Sequence, residues 1–115
     1  MTAQIVSLLD ELKTNSLPFS KVIEFIEIYY QHTPTAFKNG DTQNEAAQNQ
    51  GSAKVFAFAQ LNQLSKQDTL HLFAEHYKSV LSTPDAIDHQ NIRQFMVNGW
   101  DGIAFDGTAL TAKKI

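Results

Sequence analysis

Three short groups of residues in this 115-residue chain carry side chains suited to chemistry or ligand binding. The first is His71-Leu72-Phe73-Ala74-Glu75-His76. A zinc-protease helix places two histidines four apart with a glutamate beside the first, so that both imidazoles meet one metal. Here it is Glu75 that stands four from His71. The inverted template fails as well, because it leaves three residues between its histidines and this string leaves four. The commoner reading is a solvated helix face on which His71 and Glu75 pair, with His76 at the core margin. The second group is Gly51-Ser52-Ala53-Lys54 at a helix start. Free amides and the helix dipole favour an anion there, and Lys54 adds a cation. The frame of a Walker A loop is missing, and Ser52 and Lys54 are too close for a Ser-x-x-Lys dyad. Simple helix capping is the competing role. The third group is His89, Asn91 and Arg93, with Trp100 as a possible wall. Its structural reading is an ion pair tying a helix to a sheet, with Glu45 or Asp101 as partner. Its functional reading is a polar pocket. Elsewhere no nucleophile and base stand at a defined spacing, and the carboxylates are scattered.

These groups depend on the elements that carry them. A first amphipathic helix runs from Thr2 to Lys13, with Ile5, Leu8, Leu9 and Leu12 as its stripe, and Thr14-Asn15-Ser16 breaks it. Ser20 is a candidate cap for a second helix, Lys21 to about Gln31, which is apolar around most of its circumference and is therefore expected to be central. Thr35-Ala36-Phe37, Asn39-Gly40 and Thr42 to Ala46 suggest a hairpin, followed by a polar loop. Gly51-Ser52 opens a third helix through about Leu64. Ser65, with Asp68 three residues on, caps a fourth whose stripe is Leu70, Phe73, Tyr77 and Leu81. Asp88 is the expected N-cap of a fifth helix that Asn98-Gly99 stops. After Gly102 the apolar period becomes two. Ile103 and Phe105, then Leu110 across Asp106-Gly107, read as a second hairpin. Pairing of the two hairpins would bury Phe37, Ile103 and Phe105 together. Trp100, just past a helix end, would plug the junction of helix and sheet.

Composition narrows the function classes. Hydrophobic residues make up 43% of the chain, and eight Phe, three Tyr and one Trp are too many for a solvated, disordered segment. The length suits one domain, residues 1–115. A net charge of −3 leaves no basic footprint for nucleic acid, and no apolar run is long enough to span a bilayer. The start of the chain lacks the charged and apolar regions of a secretory signal, so Sec export is not expected. The absence of cysteine excludes disulfides, thiol catalysis and thiolate metal sites, and fits a cytosolic protein. The Lys113-Lys114 tail reads as solvated.

Larger combinations carry a resemblance. Thr33-Pro34-Thr35-Ala36-Phe37 with Asn39-Gly40, Gly51-Ser52 with Lys54 and the Phe56-Ala57-Phe58-Ala59 run, Asp88-His89-Gln90-Asn91-Ile92-Arg93, and Gly99-Trp100-Asp101-Gly102-Ile103 together resemble the HopJ type III effector family. The likeness covers nearly the whole chain, and Asp88 to Leu110 is its specific part. It implies delivery into a host cell by a type III secretion system. It implies no settled enzymatic activity and no catalytic residues. One feature departs from a typical effector: type III export signals are unstructured and Ser-rich, whereas an apolar helical pattern begins here by Ile5.

The expectation is therefore α+β, about five helices packed on a small antiparallel sheet built from two short hairpins. The expected function is that of an effector-like interaction protein with a protein partner, in a host where the family's delivery route applies. No nucleic acid, membrane, cofactor or metal is expected. The alternative is a small-ligand (anion) binding protein or enzyme with a polar site drawn from Ser52, Lys54, His89, Asn91, Arg93 and Trp100.

Overall fold

A computed structural model describes residues 3–14 and 16–113. Thr2, Asn15 and Lys114, which figure in the expectations above, lie outside the described residues. Six α-helices are found among these residues: α1 (Ala3–Lys13), α2 (Phe19–Tyr29), α3 (Gln50–Leu61), α4 (Lys66–His71), α5 (Glu75–Ser82) and α6 (Gln90–Asn98). Five three-residue strands accompany them: β1 (Tyr30–His32), β2 (Phe37–Asn39), β3 (Thr42–Asn44), β4 (Ile103–Phe105) and β5 (Leu110–Ala112). A 3₁₀ turn, Gly99–Gly102, joins α6 to β4. The architecture is α+β, as the patterning predicts, with the strands in two small antiparallel sheets, β1-β5 and β3-β2-β4.

The core centres on α3. Ala53, Val55, Phe56, Ala57, Phe58 and Ala59 are all buried there, and Phe56 touches the rings of Phe37, Phe73, Phe95 and Trp100. The small alanines let neighbouring elements approach from several sides. α2 was expected to be the central helix, yet it buries fully only Val22 and Ile26, and its Ile28 is 62% exposed. α1 buries the predicted stripe of Ile5, Leu8, Leu9 and Leu12.

The first hairpin forms as expected. β2 and β3 pair Phe37 with Asn44 and Asn39 with Thr42, around a turn in which Gly40 takes φ +58°. The second hairpin does not form. β4 pairs with β2, and β5 pairs with β1. The two ladders share one register: continuing Tyr30↔Ala112 residue by residue sets Phe37 opposite Phe105, which is the pairing found. Two further bonds bridge the gap, Thr33 N–H to the Ala109 carbonyl at 2.9 Å and Asp106 N–H to the Ala36 carbonyl at 3.0 Å. Residues 103–112 therefore run antiparallel to residues 30–39 in one register, as two short strands with a bend at Asp106-Gly107 between them, where Pro34 on the facing segment has no N–H to give. An Asp-Gly pair favours a tight turn locally, but two ladders, to β1 and to β2, with two bonds between them offer more hydrogen bonds than one three-residue hairpin. The expected grouping of Phe37, Ile103 and Phe105 survives in part, because β4 does join the first hairpin: Phe37 and Ile103 are buried and the Phe37 and Phe105 rings stack at 5.2 Å, but Phe105 stays half-buried.

The expected fourth helix is two. Leu72, Phe73 and Ala74 donate to carbonyls three residues back, and Ala74 takes φ +52°, ψ −123°, so α5 restarts in a new direction. The break buries Leu70, Leu72 and Phe73 together, which one straight helical face cannot do. Ser65 caps α4 as predicted, accepting from Asp68 N–H at 3.1 Å. Two other caps differ from expectation. α2 begins at Phe19 behind Pro18, not at Ser20, and its first amide donates to Glu75 Oε1 of α5 at 2.7 Å. α6 is preceded by His89 in the left-handed region, not by a capping Asp88, whose carboxylate is engaged elsewhere. Gly99 at φ +59° ends α6.

Candidate functional site

The starts of α3 and α6 open onto one recess of about 360 Å³. Its polar lining comes from Thr42 of β3, Asn49 and Ser52 at the start of α3, His76 of α5, and His89, Gln90 and Asn91 at the start of α6. Phe19 and Phe73 supply its apolar floor. Asn49 and His89, the residues before the two helices, both sit in the left-handed region, with φ of 51° and 50°. Neither helix receives a side-chain cap bond at its first turn. The His76 and His89 rings face each other with centroids 5.2 Å apart, and the His76 ring also meets the edge of Phe19 at 4.9 Å.

A buried carboxamide network holds this arrangement from behind. Asn91 Nδ2 donates to Asn44 Oδ1 at 2.9 Å, and Asn44 Nδ2 donates back to Asn91 Oδ1 at 3.1 Å. Asn39 Nδ2 donates to the Asn91 backbone carbonyl at 2.7 Å and to its Oδ1 at 3.1 Å. Asn49 Nδ2 reaches Asn44 Oδ1 at 2.6 Å. Two strands and both helix starts are thus tied through four side chains. Paired polar groups of this kind fix geometry in a low-dielectric interior; of the network's buried side-chain atoms, Asn39 Oδ1 has no partner among the described residues.

The six candidate residues divide into two sets. Ser52, His89 and Asn91 meet at the recess, although the Asn91 carboxamide is engaged in the network behind it. Lys54, Arg93 and Trp100 face other neighbours. Lys54 Nζ lies 3.5 Å from Glu27 Oε2 of α2. Trp100 Nε1–H donates to the Leu64 carbonyl at 3.1 Å, and its ring packs on Phe56 of α3 and Phe95 of α6, so it joins helix to helix where a plug between helix and sheet was expected. Arg93 does not pair with Glu45 or Asp101. It organises residues 83–88: Nη2 donates to Asp88 Oδ1 at 2.8 Å, Nε to the Asp88 carbonyl at 2.6 Å, and Nη1 to the Pro84 carbonyl at 3.4 Å. The Arg93 hydrogen bond holds the Asp88 carboxyl below the usual range. The ion pair is thus local and closes a loop: Asp88 precedes α6 by two residues, and Arg93 reaches back five positions to it.

Sequence reasoning placed His76 at the core margin and missed its partner. His71 is set apart from His76, against Gln67 and the Tyr77 ring. Glu75 accepts from Phe19 N–H and does not pair with His71. Thr42 and Asn49 carried no signal beyond turn and loop composition. A further histidine, His32, donates from Nε2 to Gln50 Oε1 at 3.0 Å, an assignment set by Thr35 N–H donating to the same oxygen. Burial pushes His32 below its ordinary value, against the pull of that hydrogen bond. Lys113, expected in a solvated tail, docks through Nζ on the Glu27 carbonyl at 2.7 Å.

A model of the HopJ type III effector proteins matches residues 5–110. The chain belongs to the HopJ family. The crystal structure of an unknown-function protein, VPA0580, is similar to this HopJ chain at 48% identity and a TM-score of 0.87, covering 98% of this chain and 95% of that one. No curated protein matches it. Among the described residues of this HopJ protein, no helix is long and apolar enough to cross a membrane.

Proposed function

We propose that this HopJ-family protein is a type III effector-like binding protein, and that the recess between α3 and α6 receives an oxyanion, phosphate or carboxylate, of its ligand. The observation that carries the reading is the convergence of two uncapped helix starts, two imidazoles and the hydroxyls of Ser52 and Thr42 on one small cavity. Helix starts present free N–H groups and a positive partial charge, and histidine and hydroxyl side chains donate to oxygen. A volume of about 360 Å³ suits a small group and excludes a folded segment of a partner.

Titration of ¹⁵N-labelled protein with inorganic phosphate and with short carboxylates tests this. Saturable shifts confined to the amides of residues 50–53 and 89–92 are expected, weakened in His89→Ala. Shifts scattered over the surface, or none at millimolar phosphate, would refute it.

A protein partner is the second reading. It is favoured by an open groove of about 640 Å³ between α1 and α2, lined by Leu8, Leu17, Phe25 and the exposed Ile28, with Glu11 and Glu24 beside it. Delivery by a type III system is what the family name implies for this chain, and it is tested separately. The first twenty or so residues, fused to a translocation reporter, should be exported; no export would leave a protein that acts inside the bacterium.

A further inference from the structure

We propose that His76 and His89 form a binding site for a divalent transition-metal ion of the zinc, nickel and copper class, with the remaining coordination positions open to water or to an oxyanion. The proposal rests on the reading of the recess as the ligand site and adds a metal to it.

The ring spacing is that of two ligands to one ion. A zinc-bound imidazole nitrogen lies about 2.1 Å from the metal, so the ring centre lies about 3.2 Å from it, and two rings on a tetrahedral ion stand about 5 Å apart. The His76 and His89 centroids are 5.2 Å apart, and both rings border the same cavity. Each ring carries two nitrogens and turns about a broad χ2 torsion, so one nitrogen of each can reach a shared point. The surroundings fit as well. Asp88 Oδ2 lies 3.9 Å from His89 Nε2, and Arg93 fixes that carboxylate from the other side. A carboxylate behind a ligating histidine is the usual outer partner in metal sites, setting which nitrogen faces the ion. At 3.9 Å the carboxylate stands as a nearby charge, close enough to close on the ring as a metal binds. Phe19 packs on His76 and limits the freedom of its ring.

Among the described residues no group of three or more His, Asp or Glu side chains gathers around one point. The pair is therefore an open site, and its other ligands are oxygens from outside the chain. Such a site places a Lewis acid next to the free amides at the starts of α3 and α6, where an oxyanion would bridge metal and protein.

Calorimetric titration of the full chain with ZnCl₂ alone, in a phosphate-free buffer, tests the idea. One equivalent of zinc should bind. His89→Gln should abolish binding, Asp88→Asn should weaken it about tenfold, and His71→Gln, remote from the recess, should leave it unchanged. With Cu²⁺ in place of zinc, the electron paramagnetic resonance spectrum should show two equivalent imidazole nitrogens. His76→Gln is a harsher variant because the ring packs on Phe19. If it fails to fold, the imidazole NMR signals of the unmodified protein decide, since zinc should shift those of His76 and His89 together. Absence of zinc binding, or equal binding in His89→Gln, overturns the proposal. Phosphate binding without zinc binding would overturn the metal and leave the oxyanion recess standing. Zinc binding at the pair without phosphate binding would support the metal and remove the oxyanion reading.

Discussion

Replacing Asn91 by alanine removes three side-chain hydrogen bonds from the interior: those from Asn39 Nδ2 and Asn44 Nδ2 to its Oδ1, and its own to Asn44 Oδ1. Each contributes about 1 kcal/mol net. The groups left behind keep partial compensation. Asn39 Nδ2 still reaches the backbone carbonyl of residue 91, Asn44 Oδ1 still accepts from Asn49, and Asn44 Nδ2 keeps a long bond of 3.4 Å to the Phe37 carbonyl. Alanine also returns about 0.7 kcal/mol of helix propensity at this α6 position. The net loss is therefore about 2–3 kcal/mol. With a urea slope of roughly 1.5 kcal/mol per molar, the unfolding midpoint should fall by roughly 1.5–2 M. Asn44→Ala and the double variant complete a cycle. Two reciprocal bonds join Asn44 and Asn91, so the double variant should cost about 1–2 kcal/mol less than the sum of the singles. A midpoint shift below about 0.5 M for Asn91→Ala, or singles that add within about 0.4 kcal/mol, would show that the carboxamides are bystanders. The recess would then lack the support argued for it.

Ala74→Gly should raise stability by about 1 kcal/mol, because φ +52°, ψ −123° strains any residue with a Cβ; a lower thermal midpoint would refute that strain. Ser65→Ala, which loses the bond from Asp68 N–H, should cost about 1 kcal/mol by urea unfolding, and Ser65→Gly less. Acid should act through two groups whose folded values are lowered. Asp88 is held down by Arg93 and His32 by burial, so each stabilises the fold above its unfolded value and loses that contribution as pH falls through its folded one. Urea midpoints should therefore fall below pH 6.5 less steeply in His32→Gln than in the unmodified protein, and below about pH 4 less steeply in Asp88→Asn; parallel curves would refute both assignments.

What was legible in the sequence was what local chemistry decides. The stripe of α1, the Ser65 cap, the Gly99 stop and the Gly40 turn each follow from a few adjacent residues, and the resemblance led to the right family. The errors share one cause, a distant partner outbidding a local preference. Asp106-Gly107 favours a hairpin, but residues 30–39 offer two ladders. Ser20 and Asp88 are good caps in isolation, but Glu75 reaches the Phe19 amide and Arg93 draws the Asp88 carboxylate away. Asn39 and Asn44 look like turn and loop residues, and only the fold shows them buried against Asn91. The histidine pair was hidden by the same break that turned one helix into two. Once Ala74 redirects the chain, the periodicity of α4 says nothing about where His76 points, and no spacing rule relates it to His89 on another element. The residues with the clearest motif spacing are accordingly not the ones the fold assembles. His71 and Glu75 find separate neighbours, while His76 and His89, unremarkable as a pair in sequence, share a cavity.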